Sequence, residues 1–240
     1  MSLSLECKKL KRTGFVAAFI GGGLLAAMVP VANMAVRSEI YVGIDSSPIW
    51  ILMSANWKMI AMLNVLLIVT GACIMYYTEY ADNAIQKMYT LPIKESSLFL
   101  CKFALLAAMG MVMLLVEAAG IAFCSVYWFE PAADLCLELL KNFGYALVLL
   151  IPAVMVSLLI ASLCKNMWVS LGIGIVCIFI ATMLPANHFM LSIFPFALPF
   201  QVLAEPIENA SCNYLIVSVL ETAIITFAEM LLIKVRRSME

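Results

Sequence analysis

Charged side chains are scarce in this sequence, and so are the residues that build most metal and disulfide sites. Asp, Glu, Lys and Arg make up 12% of its 240 residues, whereas soluble domains carry about 25%. There is one histidine, His188, and the eight cysteines show neither Cys-x-x-Cys nor Cys/His spacing. Both a metal centre and a disulfide framework are therefore disfavoured, and a bridge between Cys136 and Cys212 is the one pairing that stays open.

Nucleotide-binding and hydrolytic motifs are also missing. The chain has no Gly-x-x-x-x-Gly-Lys-Ser/Thr motif and no Gly-Lys pair, so it has no P-loop for nucleotide phosphates. No Ser/His/Asp set, His-Glu-x-x-His motif or pair of carboxylates has suitable spacing in a loop. Lysines and arginines are divided among loops rather than gathered on one face, which disfavours nucleic acid as a partner. The sequence predicts a non-catalytic protein that binds no cofactor itself.

What the chain has in abundance is apolar sequence, which accounts for 65% of its residues. A helix needs about 20 mainly apolar residues to cross a bilayer. We therefore predict an all-α integral membrane protein, with residues 1–240 forming a single transmembrane domain. Six transmembrane helices are predicted, at about residues 13–36, 57–78, 97–127, 143–164, 167–184 and 213–233.

The segments outside these spans have distinct patterns. Residues 1–12 combine basic side chains with leucines, which is typical of a retained N-terminal helix at the membrane interface. Residues 37–56 are predicted to form a loop, and residues 130–141 an acidic stretch on the membrane surface. Residues 185–206 are apolar but contain four prolines, so we predict a broken or re-entrant segment on the outer side.

Lysines and arginines are unevenly distributed across this layout. Eleven fall on the side of the N-terminus, and three (Arg37, Lys58 and Lys141) fall on the other. Because cytoplasmic loops carry the excess of basic residues, the count predicts that both termini and residues 79–95 are cytoplasmic. The membrane we predict is the plasma membrane. A seventh crossing within residues 185–206 would reduce the difference to eight against six.

Residues 79–95 form the longest polar passage in the first half of the chain. Ala81, Ala84, Ile85 and Met88 recur at spacings of three and four, which predicts a short amphipathic helix. Pro92 ends this helix, because proline disfavours helical geometry for the residue before it. A helix between two spans could dock a soluble partner, or it could be a solvated loop. The spacing alone favours neither.

The same passage resembles the cytoplasmic loop of type-2 ABC exporter permeases, in particular the bacterial group that removes antimicrobial peptides such as lantibiotics and bacitracin. Those loops read approximately Glu-Tyr-Thr-Glu-Asn-Thr-Leu-Lys-x-Leu-x-Thr-Leu-Pro-x-x-Arg. The residues that match in identity or type, without a gap, are Glu79, Tyr80, Asp82, Asn83, Ile85, Thr90, Leu91 and Pro92. Ala84 replaces a threonine, and Glu95 stands where a basic residue is common. Elsewhere the resemblance is one of layout.

This resemblance implies the membrane subunit of an ATP-driven ABC exporter, in which residues 79–95 are a coupling helix that docks on a soluble ATP-binding subunit. ATP and Mg²⁺ would bind to that partner. A second permease, either an identical copy or a related chain, would complete the pathway. The implied cargo is a lantibiotic-like peptide, expelled from the membrane to give immunity or resistance. The residues expected to contact the ATPase are Glu79, Asp82, Ile85, Lys87, Met88, Leu91 and Pro92.

Two other functions stay open. An ion- or proton-coupled carrier or channel would work without ATP, although the sequence lacks the unwound, repeat-related spans typical of such carriers. A purely structural subunit is also compatible with the pattern.

Glu117 and Glu221 lie deep within predicted spans and have no basic partner there. Glu117 in the third span and Glu221 in the sixth lie at a similar depth. Each is expected either to be neutral and hydrogen-bonded between helices or to contact the cationic groups of an exported peptide. Several polar residues fall on the same helical arc as Glu221. The predicted translocation pathway comprises Glu117, Ser218, Glu221, Thr222 and Glu229.

Overall fold

The described part of the structure, a computed structural model, covers most of the chain. It comprises residues 6, 9–11, 13–44, 46–80, 95–129, 134–164, 166–184, 189–203 and 209–239, with side chains omitted at 95–97, 209–210 and 233–239. Within these ranges the chain forms seven α-helices and one 3₁₀ turn. They are α1 (Phe15–Tyr41), α2 (Pro48–Tyr80), α3 (Glu95–Trp128), α4 (Leu135–Leu163), α5 (Met167–Met183), α6 (Phe189–Ser192), the turn Leu198–Phe200, and α7 (Asn209–Met239).

Five of these helices, α1 to α4 and α7, are long and apolar enough to cross a membrane, judged by length and composition. Helix α5 is equally apolar but has 17 residues, about 25 Å at 1.5 Å per residue. That length lies at the lower limit for a crossing. The all-helical membrane architecture is therefore confirmed, and the sixth span stays a prediction.

The loop predicted between the first two spans is shorter than expected. Only residues 42–47 separate α1 from α2, so the predicted loop at residues 37–56 is wrong over most of its length. Pro48 suits the first turn of a helix, and the side chains of Ile49, Leu52 and Met53 are buried, which draws this stretch into the bundle. In the predicted surface stretch at 130–141, helix α4 begins at Leu135, and the position of this stretch on the membrane surface stays a prediction.

Helix α2 lies at the centre of the bundle. Helices α1, α3, α4 and α5 all pack against it, and its buried side chains include Ile60, Val65, Ile68 and Ala72. Helices α1 and α3 also pack closely against each other. A methyl group at Gly120 would lie 2.8 Å from the Cβ of Ala27 and 3.0 Å from its carbonyl oxygen. Glycine there allows the two backbones to approach.

The bundle has two ends, which we name the Trp57 end and the Glu79 end. At the first, the Trp57 indole donates to the carbonyl oxygen of Pro199 at 2.9 Å and packs edge-on against Phe143, with ring centroids 5.9 Å apart. The starts of α2 and α4 and the segment 189–203 therefore lie together. Tyr214, near the start of α7, packs against Phe189 at 5.3 Å between centroids, which brings α7 to the same end.

Residues 189–203 contain no helix longer than the four residues of α6. Phe196 and Leu198 are fully buried against the bundle. This irregular backbone agrees with the break predicted from the prolines. Residues 185–188 and 204–206, which belong to the same predicted segment, lie outside the described part.

Candidate functional site

Four charged side chains meet at the Glu79 end. Glu79 Oε1, in the last turn of α2, lies 2.7 Å from Lys102 Nζ on α3 and 3.6 Å from Lys9 Nζ. Glu6 completes the arrangement: its Oε1 is 2.8 Å from Lys9 Nζ and its Oε2 is 3.3 Å from Lys102 Nζ. Each carboxylate thus contacts both ammonium groups. We call Glu6, Lys9, Glu79 and Lys102 the ionic cluster.

Three of the four members are almost inaccessible to solvent. Lys102 is 1% exposed, Glu6 2% and Glu79 6%. A buried charge is costly unless its partners offset the loss of hydration, and removing one partner strands the others. The cluster has two acids and two bases and is neutral overall. The burial of each charge therefore depends on the presence of the other three. It joins the N-terminal segment, the end of α2 and the start of α3.

Glu6 is held in its charged form by this surrounding. Burial opposes ionisation, but Lys102 and Lys9 together outweigh it and lower the pKa of Glu6 below its ordinary value. Lys102 Nζ also lies 5.1 Å from the ring centroid of Tyr76, within the range of a cation–π contact.

The contacts of α2 continue from the ionic cluster to two further helices. Tyr80, the last residue of α2, stacks with Tyr76 and donates its hydroxyl hydrogen to the carbonyl oxygen of Ser162 on α4 at 2.7 Å. Ser162 Oγ in turn lies 3.4 Å from Glu229 Oε1 on α7. The end of α2 is therefore tied directly to the N-terminal segment, α3 and α4, and through Ser162 to α7.

The ionic cluster flanks the predicted coupling segment on both sides. Helix α2 ends at Tyr80 and α3 begins at Glu95, so Glu79 and Lys102 hold the two ends of residues 81–94 together. Most residues predicted to contact an ATPase lie outside the described part. They are Asp82, Ile85, Lys87, Met88, Leu91 and Pro92.

The predicted pathway residues do not form one group: Glu229 lies beside Ser162 at the Glu79 end, whereas Glu117 and Ser218 make their contacts elsewhere in the bundle. Glu117 is fully buried, and its Oε2 accepts a hydrogen bond from Asn64 Nδ2 on α2 at 3.0 Å. No hydrogen bond or ion pair joins it to Glu221 in the described part of the chain. Glu221 is half-buried, and its Oε2 is shielded without a hydrogen-bond donor from the described residues.

The polar arc on α7 is bonded mostly to backbone. Ser218 Oγ donates to the carbonyl oxygen of Val148 on α4 at 2.7 Å. Thr222 and Thr226 each donate to the carbonyl oxygen four residues earlier, at 2.7 and 2.6 Å. These hydroxyls therefore satisfy themselves within the helix bundle, whereas Glu221 Oε2 receives no hydrogen bond from the described residues.

Comparison with protein families identifies the chain. The family described as "ABC-2 family transporter protein" matches residues 2–182, which is more than half of the sequence. The chain belongs to this ABC-2 transporter family. Comparison with curated proteins and with solved structures finds no match.

Membership of the ABC-2 family agrees with the coarser predictions from sequence. The chain is a multi-pass membrane protein and a permease of an ABC transporter, and such permeases are typically non-catalytic and work with an ATP-binding partner on a separate chain. The match covers the N-terminal segment, both flanks of residues 81–94 and the ionic cluster of this ABC-2 permease.

Sequence reasoning missed the ionic cluster. It placed Lys9 and Lys102 among the cytoplasmic basic residues and Glu79 among the ATPase contacts, without pairing them. One signal was present: Lys102 follows Leu98, Phe99 and Leu100 in an apolar helix, and a charge in such a position needs a partner. Which acid would supply it depends on the tertiary contact between α2 and α3.

Proposed function

We propose that this chain is the membrane subunit of an ATP-driven exporter that docks its ATPase through residues 79–95. The supporting observation is the ionic cluster, which fixes both ends of this segment to the bundle and to the N-terminal segment. A movement of the ATPase against a segment held in this way would pass directly to α2 and α3 rather than being absorbed by loose flanks.

Glu79 takes a different part in this proposal from the other residues of the segment. It is buried and paired with Lys102, so it anchors the start of the segment. The contact with the ATPase is then made by Ile85, Met88 and Leu91 as an apolar set, with Asp82 and Lys87 as charged neighbours and Pro92 ending the helix. ATP and Mg²⁺ bind to the partner subunit.

The proposed topology has six crossings in a plasma membrane, with the Glu79 end and both termini in the cytoplasm. Its support is the distribution of lysine and arginine, eleven against three. The contacts at the two ends of the bundle mean that successive helices run in alternate directions. A chain that crosses the membrane six times would have the same alternation. Residues 185–206 then form the outer, re-entrant segment, part of which packs against Trp57.

The proposed cargo is an antimicrobial peptide of the lantibiotic type, expelled to protect the cell. The support is the resemblance of residues 79–95 to the permeases that remove such peptides. One chain supplies half of the pathway, and a second permease, identical or related, supplies the rest. Glu221 is the acid we assign to the pathway, because it is half-buried and has an oxygen free of hydrogen bonds from the described residues.

Substitution within the docking segment tests the proposal. Ile85→Asp with Met88→Asp should abolish co-purification of an ATP-binding subunit and lower peptide protection to the level of a deletion strain. The permease itself should still reach the membrane at normal levels. A matched control is Val36→Asp with Ile40→Asp, at exposed positions in the last turns of α1, which should retain the ATPase. A carrier that works without ATP would keep its activity in the docking variant, and that result would contradict the proposal.

A further inference from the structure

A groove at the Trp57 end is separate from the ionic cluster and from the polar arc of α7. It has a volume of about 360 Å³ and lies between α4, α7 and Leu203, the last described residue of the segment 189–203. This volume falls within the usual range for small-molecule sites, about 300–1,000 Å³. Its walls are mostly apolar and include Gly144, Val148, Leu203 and Leu215.

Two buried hydroxyl side chains of the described residues, Tyr145 and Ser211, line this apolar groove. Tyr145 lines it and is 6% exposed, and its hydroxyl forms no hydrogen bond with the described residues. Ser211, also buried, lies beside the hydroxyl without completing a hydrogen bond. A buried hydroxyl without a partner is costly. A ligand with an acceptor oxygen at this depth would remove that cost.

A cation stands at the mouth of the groove. Lys141 is exposed, and no carboxylate of the described residues lies within ion-pair distance of it. Helix α4 has 29 residues, about 43 Å, against a hydrocarbon core of about 30 Å. Centred in a bilayer, it extends about 7 Å beyond the core at each end. Lys141 lies six residues after Leu135, about 9 Å along α4, which puts its ammonium group near the level of lipid headgroups.

We propose that the groove binds one anionic phospholipid of the surrounding bilayer. An acyl chain lies against Val148, Leu203 and Leu215, an ester oxygen accepts a hydrogen bond from the Tyr145 hydroxyl, and the phosphate meets Lys141. The charge favours this occupant over a cationic peptide, which the ammonium group would repel. Along α4 the cation comes first, then the hydroxyl donor and then the apolar wall. A phospholipid presents its phosphate, ester and acyl chain in the same order.

The site can be blocked without disturbing the bundle. A side chain at Gly144 would meet no other atom within 4 Å at its Cβ, so Gly144→Leu should fill the groove. Gly172 on α5 is equally open, and Gly172→Leu is the matched control. Lys141→Gln removes the charge alone, and Tyr145→Phe removes the hydroxyl alone.

The test is photo-labelling of the purified full chain in nanodiscs that contain a photoreactive phosphatidylglycerol or, in parallel, a photoreactive phosphatidylcholine. We expect phosphatidylglycerol to label residues 141–148 or 211–215. The amount of labelling should be at least fivefold lower in Gly144→Leu than in the wild type, and unchanged in Gly172→Leu. Lys141→Gln should lower phosphatidylglycerol labelling about threefold and leave phosphatidylcholine labelling unchanged, and Tyr145→Phe should lower labelling by both lipids.

Two results would overturn the assignment. Equal labelling of wild type and Gly144→Leu, with both proteins eluting as single species, would show that the groove holds no lipid. Labelling of the same residues by a photoreactive cationic peptide, without competition from added phosphatidylglycerol, would identify the groove as a peptide site.

Discussion

Lys102 Nζ lies 2.7 Å from Glu79 Oε1, and this pair joins the last turn of α2 to the second turn of α3. Both side chains are buried, and each also contacts Glu6 or Lys9 of the N-terminal segment. Because the residues between the two helices are those that resemble an exporter coupling helix, the pair closes the base of the proposed docking segment.

Removing one member of the ionic cluster should cost more stability than removing two. In Lys102→Met, two buried carboxylates would share a single lysine, and we expect a loss of about 3–5 kcal/mol. The double variant Lys102→Met with Glu79→Gln should recover a large part of that loss. Thermal unfolding of the detergent-solubilised protein measures both.

Lys58→Met is the control for this experiment, because Lys58 is exposed on the same helix as Glu79. It should leave the unfolding temperature within a degree or two of the wild type. If Lys102→Met behaved like Lys58→Met, the cluster would have no part in holding the two helices.

The attachment of the N-terminal segment should weaken in acid. The pKa of Glu6 is lowered in the folded protein, so its ion pairs contribute stability that is fully present above its unfolded value, about 4.5. That contribution is lost as the pH falls through the lowered pKa. The wild type should therefore lose its advantage in unfolding temperature over Glu6→Gln as the pH falls below about 4.5. An advantage that stays constant over this range would contradict the assignment.

Substitution by glutamine should affect peptide protection differently at Glu117 and at Glu221. Glu117→Gln keeps an acceptor for Asn64 Nδ2, so stability and peptide protection should both stay close to wild type. Glu117→Leu leaves the Asn64 amide without its acceptor and should cost about 1–3 kcal/mol. Glu221→Gln should assemble normally but lower peptide protection, because the proposed contact with a cationic cargo needs the charge. Full protection by Glu221→Gln would remove this residue from the pathway.

A single cysteine at position 190 should react with an impermeant thiol reagent from outside the cell. Met190 is 83% exposed at the Trp57 end, whereas Ser192 is 1% exposed and would make a poor reporter. In the same cysteine-free background, a cysteine at Lys11 should react only after the membrane is permeabilised. The reverse pattern would invert the proposed topology.

The sequence predicted the helices of this chain better than their partners. Apolar runs and the basic residues at their ends gave the course of α3 and α5 to within two residues. The starts of α2 and α4 were missed because residues 37–56 and 130–141 were predicted to lie outside the spans, whereas the helices begin at Pro48 and Leu135. At the start of α2, burial of Ile49, Leu52 and Met53 accounts for the difference. Length and apolar content determine a span, but its ends depend on packing.

The site depends on contacts between residues distant in sequence. Glu6 and Lys102 are 96 positions apart, and Asn64 and Glu117 are 53 apart. Spacing along one helix cannot indicate such pairs. The sequence did indicate that buried acids need partners. For Glu117 the partner is a neutral amide on α2, which no count of charged residues could reveal.

Cross-linking from position 88 tests the central claim most directly. A benzoylphenylalanine at Met88, in the middle of the proposed docking helix, should on illumination in native membranes form a cross-link to a protein that mass spectrometry identifies by its P-loop sequence. The same residue at Met190, exposed at the opposite end of the bundle, should give no such product. Absence of an ATP-binding protein from the position 88 products, with the permease folded and inserted, would contradict the account. So would equal capture from position 190.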